Sequence, residues 1–248
     1  MGKYRPFEIN SRRNKINQDM NKRLFGRKKG YPLKLAKQKL FDEVFPKLRL
    51  SKKTKINEEI FSQFPSLIDT FWLEVGFGNG EHLKWQLEKN ANVGFFCSEP
   101  YLNGVASLIS SLKKEYFDRI RIMMDDAEFL LELLPPRIIS KVFILFPDPW
   151  HKKKHYKRRF INENTILKIS NVLKNNGEVR IATDSESYVA WILHHFLKSE
   201  QFIWKASKKD DFLIKPSDWP ATRYENKAIS LGKCPVFLIF SKKNSKQH

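Results

Sequence analysis

The chain has 248 residues, a formal net charge of +19, and 41% hydrophobic residues, of which 20 are Phe. These values are typical of one large globular domain and exclude a disordered chain. No apolar run approaches the roughly 20 residues of a membrane span, and the N-terminus lacks the apolar core of a secretory signal. We therefore expect a cytoplasmic protein that does not associate with membranes.

The positive charge is concentrated in two segments. Residues 1–56 hold 18 Lys and Arg against 4 Asp and Glu, and six of the nine residues from His151 to Arg159 are basic. The remainder of the chain is close to neutral. Two basic patches on a near-neutral body indicate a polyanionic partner, usually nucleic acid. A disordered basic arm that only adds solubility is the alternative.

The order of predicted elements divides the chain at about residue 56. Residues 1–56 are predicted to form a basic N-terminal arm and a helical segment, with loose helical spacing from Pro32 to Leu50 that Pro46 breaks. From residue 71 onward, short apolar strands alternate with amphipathic helices. The predicted strands in this part are FWLEVG, VGFFCSE, RIRIMM, KVFILF and GEVRIAT. Residues 57–248 are therefore predicted to form a single domain.

This alternation predicts an α/β fold with a mostly parallel sheet and helices on both faces. The intervening helices include GEHLKWQLEKN, a helix from about Tyr101, one from Ala127 to Leu134, one capped by Asn162 or Asn164, and ESYVAWILHHFL. Two final strands, FIWKAS and CPVFLIFSK, have no helical pattern between them. They predict an antiparallel edge and bring the sheet to seven strands.

The two cysteines, Cys97 and Cys234, lie in strand-like apolar runs without metal-ligand spacing. We expect both to be reduced core residues. His151 and His155 have helical spacing but no acidic third ligand, and neighbouring cations would repel a metal, so no metal site is predicted. Ser185 and Ser230 have no apparent His and Asp partners for a hydrolase triad.

A glycine-rich turn follows the first of these strands. In LEVGFGNGEHL, Gly76, Gly78 and Gly80 lie between strand and helix, where glycine permits a tight turn and close approach to a ligand. Glu99 ends the next strand, the place where a carboxylate binds a ribose diol. A merely structural turn is the alternative.

The acids near this turn favour a cationic cofactor over a dinucleotide. A dinucleotide site would have its third glycine at position 81, but Glu81 occupies it and suits a pyrophosphate poorly. The Glu-x-Gly-x-Gly-x-Gly form suits S-adenosylmethionine, whose sulfonium and amino group are cationic, and Glu74 supplies the opposite charge. Asp126 ends the third strand, where it can accept from the adenine amine or cap the helix that begins at Ala127.

The fourth strand leads into FPDPWHKKKHYKRRF, which places Asp148 and Trp150 at the carboxyl edge of the sheet beside a basic run. Here the sequence resembles the tRNA (guanine-N7)-methyltransferases, which have a Rossmann-like S-adenosylmethionine-dependent fold. The resemblance covers roughly residues 27–240. It is carried by EVGFGNGEHL, SEPYLNGV, DDAEFL, FPDPWHKKKHYKRR, ATDSESYVAWI and TRYENKAISLG.

The resemblance implies a set of site residues. Expected to bind the cofactor are Glu74, Gly76, Gly78, Gly80, Glu99, Asp126, Ala127 and Asp148. Expected to contact the substrate are Lys152, Asp184, Thr222, Arg223, Tyr224 and Glu225. The implied cofactor is S-adenosylmethionine and the implied partner is tRNA, methylated at the variable-loop guanine 46; no obligate protein partner is expected. After TRYE, residues 222–225, many members have a basic residue followed by glycine, whereas Lys227 here precedes Ala228.

The expected chemistry needs no general base, because guanine N7 carries a lone pair and no proton. Alignment is the main requirement, and a carboxylate facing the N1–H and N2–H edge would stabilise the developing positive charge. Asp148 is the expected catalytic residue, with Asp184 or Glu225 as a second acceptor, while the Lys/Arg run grips phosphates. Trp150 either stacks on the base or anchors the loop.

Two other functions remain open from the sequence. One is a non-catalytic RNA-binding scaffold on a decayed methyltransferase fold, and the other is a methyltransferase that acts on a different acceptor. The acids at positions 74, 99, 126 and 148 argue against decay, because an inactive site does not need them.

Overall fold

A computed structural model describes residues 28–56 and 58–244. The predicted basic arm therefore lies largely outside the described residues, since positions 1–27 are not among them. Within the described ranges, no helix is both long enough and apolar enough to cross a membrane.

Helices and strands alternate along the chain. The helices are α1 (Leu35–Leu48), α2 (Glu58–Ser62), α3 (Glu81–Lys89), α4 (Leu102–Ser111), α5 (Ala127–Leu133), α6 (Glu163–Val172), α7 (Glu186–Lys198), α8 (Asp210–Leu213) and α9 (Arg223–Ser230). The strands are β1 (Arg49–Leu50), β2 (Thr70–Val75), β3 (Val93–Ser98), β4 (Ile120–Met123), β5 (Ile139–Leu145), β6 (Leu173–Thr183), β7 (Phe202–Trp204) and β8 (Val236–Lys242). Two short 3-10 helices span Lys114–Arg119 and Lys153–Arg158.

All eight strands join one sheet in the order β1-β4-β3-β2-β5-β6-β8-β7. Strands β1 to β6 pair in parallel, and β8 is antiparallel to both β6 and β7. The predicted Rossmann-like α/β class with its antiparallel edge is confirmed. The sheet has one strand more than the seven predicted, because Arg49–Leu50 is too short to show an alternating pattern in the sequence.

The N-terminal helical segment belongs to the same packed unit as the sheet. Helix α1 continues beyond the predicted break, since Pro46 lies in its last turn and does not end it. Its buried face includes Phe41, Val44 and Phe45, which join the cluster on one face of the sheet. The proposed division at residue 56 remains a prediction.

The two faces of the sheet bury separate hydrophobic clusters. Neighbouring residues of β2 alternate between them: Phe71 and Leu73 pack into one cluster, and Trp72 packs into the other. The alternation follows from the period of two along a strand and leaves both faces covered by helices. Cys97 is fully buried, as predicted, and burial raises the pKa of its thiol well above the usual value. Cys234 is exposed, so the prediction of a core position was wrong for it.

The start of α6 shows which asparagine caps the helix. Asn162 Oδ1 accepts from Thr165 N at 3.1 Å, and Thr165 Oγ1 accepts from Asn162 N at 3.0 Å. This reciprocal capping box satisfies two donors that the helix cannot. Asn164 instead lies in the first turn and donates from Nδ2 to Glu128 Oε2 at 3.1 Å.

We expect Asn162→Ala to lower the free energy of unfolding by about 0.5–2 kcal/mol, because the backbone N–H of Thr165 loses its acceptor. The matched variant Asn164→Ala should change it by less than about 0.5 kcal/mol, as an exposed substitution away from the cap. Urea denaturation of both variants measures the difference. Equal losses would contradict the capping assignment.

Candidate functional site

The acids predicted from the strand ends lie at the carboxyl edge of the parallel strands. Glu74 is in β2, and Glu99, Asp126, Asp148 and Asp184 follow β3, β4, β5 and β6. Strand order reverses between β2 and β5, which is where open α/β sheets bind ligands. A cleft at this point is lined by Glu74, Gly76, His82, Leu145, Phe146, and Thr222 to Tyr224, among others.

The glycine loop, residues 76–80, connects β2 to α3 in a backbone conformation that favours glycine. Gly76, Gly78 and Gly80 have φ of 69°, 58° and 80°, the left-handed region where other residues are strained. A fourth glycine, Gly104 in α4, faces this loop. A Cβ atom on Gly104 would meet Gly78 O at a separation of 2.4 Å, so only glycine lets the helix approach the loop.

Glu99 is 7% exposed and joins the glycine loop to α4. Its Oε2 accepts from Gly78 N at 2.7 Å, and its Oε1 accepts from Tyr101 N at 2.9 Å. Burial raises the pKa of the Glu99 carboxyl, the two backbone N–H groups oppose that rise, and the negative charges of Asp148 and Glu74 add to it. The carboxylates thus share one electrostatic environment, and each Glu99 oxygen keeps a lone pair for a further donor.

Glu74 is 2% exposed and is held by a histidine that the sequence analysis did not select. His82 Nδ1 lies 2.8 Å from Glu74 Oε2, and His82 Nε2 lies 3.1 Å from Gln86 Nε2. The Gln86 amide also donates to Asp218 O, and its oxygen accepts from Asn90. Gln86 Nε2 therefore donates to His82, which is neutral and donates from Nδ1, so Glu74 keeps an uncompensated negative charge.

Asp126 caps α5, one of the two roles considered for it. Its Oδ1 accepts from Glu128 N at 2.9 Å, and its own N–H donates to Asp125 Oδ1 at 2.8 Å. Ala127, the first residue of the helix, is 7% exposed and belongs to the core. Both residues lie at the same sheet edge as Glu99, on the side of the β3–β4 pair.

The Pro-Asp-Pro loop, residues 146–150, follows β5 and contains an exposed Asp148 between two strained aromatic residues. Phe146 and Trp150 have φ of 50° and 42°, which costs free energy for a side chain with a Cβ. Phe146 N donates to Ala182 O at 2.7 Å, and this bond fixes the start of the loop against β6.

Arg159 holds the other end of the loop and is only 2% exposed. Its Nε donates to Pro149 O at 2.8 Å, and its two terminal nitrogens donate to the backbone and hydroxyl oxygens of Ser187 at 3.2 Å. The guanidinium also stacks on Tyr156 with 3.7 Å between its carbon and the ring centroid. The prediction that the whole basic run grips phosphates was therefore wrong for Arg159, which the aromatic residues bury.

The rest of the basic run lies on the surface. Lys152, Lys153 and Lys154 are exposed beside the Pro-Asp-Pro loop. Trp150 is half-buried, with the Arg158 guanidinium carbon 4.9 Å from its ring centroid and the His155 ring edge-on at 5.8 Å. These contacts match the loop-anchoring alternative for Trp150.

The segment from Thr222 to Glu225 starts α9 and reaches the glycine loop. Thr222 Oγ1 accepts from Glu225 N at 3.3 Å as the cap. Arg223 N donates to Glu81 Oε2 at 2.7 Å, so Glu81, which argued against a dinucleotide, attaches α9 to α3. Tyr224 lies over the loop, because a Cβ on Gly78 would meet its ring at 3.3 Å.

The two remaining predicted acids are paired with lysines. Glu225 is 6% exposed and lies 3.0 Å from Lys215 Nζ, and Asp184 Oδ2 accepts from Lys233 Nζ at 2.6 Å. Ala228 is 2% exposed within α9, a helical position that does not require glycine. Across residues 28–56 and 58–244, no three His, Cys, Asp or Glu residues form a group that could hold a metal ion.

The N-terminal end of the described chain also lies at this edge. Leu102 N donates to Lys28 O at 3.0 Å, Gly30 N donates to Asn103 Oδ1 at 2.9 Å, and Asn103 Nδ2 donates to Tyr31 O at 2.8 Å. Residues 28–31 are thus fixed to the start of α4, directly after Glu99.

Comparisons with known proteins match most of the chain. A family model described as "Putative methyltransferase" matches residues 69–238. The tRNA (guanine-N(7)-)-methyltransferase of Bartonella quintana is 38% identical over 226 residues, which are 90% of this chain and 97% of that protein. The enzyme of the same description from Agrobacterium fabrum is 37% identical over 87% of this chain and 93% of its own.

The chain belongs to the tRNA (guanine-N7)-methyltransferase family. Among solved structures, that of the 16S rRNA methyltransferase KamB superposes with a TM-score of 0.50 at 12% identity. The match covers 79% of this chain and 99% of that one, and it supports the fold alone.

The cofactor of this family member is S-adenosylmethionine, as predicted. The residues of the cleft fit it, since Glu74 offers an uncompensated buried carboxylate to a cation and the left-handed glycines keep side chains away from the loop. Glu99 has acceptor capacity left for hydroxyl groups beside the loop.

Sequence reasoning missed Arg159, His82 and the second role of Glu81. A basic run gives no sign that one member is buried, and of the aromatic residues that surround Arg159 only Tyr156 is close in sequence, whereas Tyr188 and Trp191 lie in α7. Glu81 and His82 follow the last glycine of the loop directly, and this position was the only available sign of a role in the site.

We expect Gly104→Ala to weaken binding of S-adenosylhomocysteine at least about tenfold, because the new methyl group pushes the glycine loop away from α4. A backbone atom is the obstacle, and the loop cannot yield as a flexible side chain would. Calorimetry measures the affinity, with Ser110→Ala on the exposed face of α4 as the control. Unchanged affinity in Gly104→Ala would show that the contact does not shape the site.

Proposed function

We propose that this protein transfers a methyl group from S-adenosylmethionine to N7 of guanine 46 in tRNA. The observation that carries the proposal is the position of Asp148, an exposed carboxylate beside the cofactor cleft and four residues before the exposed lysines that start at Lys152. A carboxylate can read a base there while the lysines neutralise phosphates, a division of labour that nucleic-acid enzymes need. The relatives described above carry this activity in their names.

The reaction requires alignment more than proton transfer. S-adenosylmethionine, when bound, would supply a methyl group on a cationic sulfur: the N7 lone pair would form a bond to the methyl carbon as the carbon–sulfur bond breaks, and neutral S-adenosylhomocysteine would leave. The product base is cationic, so its N1–H and N2–H groups become stronger donors. Asp148 accepts from this edge and stabilises the charge as it develops. The loop that carries Asp148 is held at both ends, by Phe146 N and by Arg159.

In this proposal, each of the other acids contacts a different part of the cofactor or of the substrate site. Glu99 accepts from the ribose hydroxyls, Glu74 faces the cationic end, and Asp126 accepts from the adenine amine with Ala127 beside it. Asp184 and Glu225 are already paired with lysines. In this proposal they orient the chain segments that contact the substrate, and Asp148 is the main acceptor for the base. Lys152 to Lys154 contact phosphates. This activity also implies a cytoplasmic protein whose partner is tRNA.

The direct test is methyl transfer from labelled cofactor to unmodified tRNA, followed by borohydride reduction and aniline cleavage at the modified base. We expect a single cleavage at guanine 46, and a transcript with adenine at that position should not be modified. Tight tRNA binding without methyl transfer would favour the scaffold alternative. Label on another atom or another acceptor would favour a methyltransferase with a different substrate.

We expect Asp148→Asn to lower kcat about 10²–10³-fold, because the shape of the side chain stays while the charge that stabilises the cationic base is lost. Thermal stability should change little, since Asp148 is exposed. Steady-state methylation at saturating tRNA and cofactor measures the effect, with Asp210→Asn in α8 as the control. A variant with near-normal turnover would make Asp148 a structural residue.

The pH dependence of cofactor binding should reveal Glu99. Because its pKa is raised, Glu99 in the folded protein loses its negative charge at a higher pH than an ordinary glutamate, so affinity for S-adenosylhomocysteine should fall as the pH falls through that pKa. Glu99→Gln should bind about 10- to 150-fold more weakly at neutral pH and lack this step. Calorimetry across pH tests both, with the exposed Glu88→Gln as control. A pH step that survives in Glu99→Gln would assign it to another group.

The raised pKa of Glu99 makes the free energy of unfolding change with pH in the opposite direction to cofactor affinity. Because the pKa of Glu99 is raised by folding, its contribution to the free energy of unfolding is greatest below the unfolded value of 4.5 and decreases as the pH rises through the folded pKa. In the absence of cofactor, the stability of Glu99→Gln, whose side chain does not titrate, should therefore rise relative to that of the parent protein as the pH rises from 4 to 7. Urea denaturation at pH 4 and pH 7 measures the free energy of unfolding of both proteins. An advantage of Glu99→Gln over the parent that is larger at pH 4 than at pH 7 would contradict this expectation.

A further inference from the structure

Two aromatic rings face each other across the mouth of the cleft. Phe146 starts the Pro-Asp-Pro loop, Tyr224 lies in the first turn of α9, and both line the cleft with Glu74 and Gly76. Their planes are within 19° of parallel, and their centroids are 6.5 Å apart. In the core, the near-parallel pair Phe196 and Phe240 has its centroids at 4.0 Å. The two centroids at the cleft are thus 2.5 Å farther apart than those of this core pair.

The centroid separation of this pair is close to the separation that a planar base between two rings requires. Stacked atoms prefer separations of about 3.5 Å, so a base between two rings needs the rings about 7 Å apart. Tyr224 is 49% exposed and packs on the glycine loop, and a displacement of roughly half an ångström would complete the space. Aromatic side chains commonly stack on RNA bases that have left their helix.

The backbone of Phe146 provides a second, independent observation. A phenylalanine with φ of 50° is strained, and its N–H bond to Ala182 O holds it in that conformation. Glycine would fit this position without strain. A bulky ring at such a position indicates that the ring itself has a use at the cleft, since strain of this kind gathers at ligand-binding sites.

From these observations, and resting on the proposed function, we propose that Phe146 and Tyr224 hold the target guanine between their rings. The clamp fixes the plane of the base, and Asp148, two residues after Phe146, then meets the polar edge of the same base. Stacking gives affinity for any purine, and the carboxylate selects the one with donors on that edge. The clamp is therefore a positioning device that acts on the substrate and not on the cofactor.

The test is a double-mutant cycle that combines removal of the base from the tRNA with removal of a ring from the protein. Binding is measured by fluorescence anisotropy at saturating S-adenosylhomocysteine, with one tRNA transcript that carries guanine 46 and one that is abasic at that position. For the parent protein, the abasic transcript should bind about 5- to 100-fold more weakly. Tyr224→Leu and Phe146→Gly should weaken binding of the guanine transcript by a factor in the same range. In these variants, the loss of affinity caused by removing the base should be several-fold smaller than in the parent.

Three comparisons keep the result interpretable. Phe146→Gly removes the ring and relieves the backbone, but it also removes packing against the core cluster on that face of the sheet, so thermal unfolding is measured first to confirm that the variant folds. Tyr224→Phe keeps the ring and should keep the coupling to the base. Ile229→Ala, which removes an exposed side chain from the same helix, should leave both transcripts unaffected.

Equal weakening of both transcripts by the ring variants would overturn the clamp, because the rings would then act independently of the base. A matching loss of affinity for S-adenosylhomocysteine in calorimetry would also overturn it and assign the rings to the cofactor. The binding cycle does not need turnover. If the parent protein shows the coupling but transfers no methyl group to N7, the clamp stands and the proposed function fails.

Discussion

The buried guanidinium of Arg159 is the interaction on which the geometry of the site depends. It connects the loop after β5, through Pro149 O, with the start of α7, through Ser187. Its desolvation is offset by these oxygens and by the faces of surrounding aromatic rings, and no carboxylate takes part in the contacts described for it. Because the partners are neutral, the guanidinium holds Asp148 in place without neutralising any acid of the cleft.

The acids on the cofactor side are also oriented by neutral groups. Glu74 receives its hydrogen bond from a neutral imidazole, and Glu99 receives two from backbone N–H groups. Each acid is oriented by dipoles and not by ion pairs, so its full charge is directed at the cleft. In a chain of +19, this arrangement creates a local negative site inside a positive surface. A cationic methyl donor and a polyanionic acceptor can therefore bind side by side.

Most of the fold and the placement of the acids could be predicted, because both depend on local patterns. Strand alternation, the glycines of residues 76–80 and the acids at strand ends are periodic or adjacent in sequence. What could not be predicted depends on distant contacts. Burial of Arg159 is decided by α7, exposure of Cys234 by the turn before β8, and the partner of Glu81 by α9, 142 residues away. The two-residue strand β1 exists only because β4 offers it an edge.

The exposure of Cys234 has a practical consequence. The chain contains two cysteines, and the other, Cys97, is buried with a thiol whose pKa is well above the usual value. A maleimide dye would therefore attach at a single natural position without mutagenesis. Cys234 follows Lys233, the partner of Asp184, in the segment that joins α9 to β8. A fluorophore there would report, in real time, how the segment that carries Tyr224 moves when nucleic acid arrives and when it leaves.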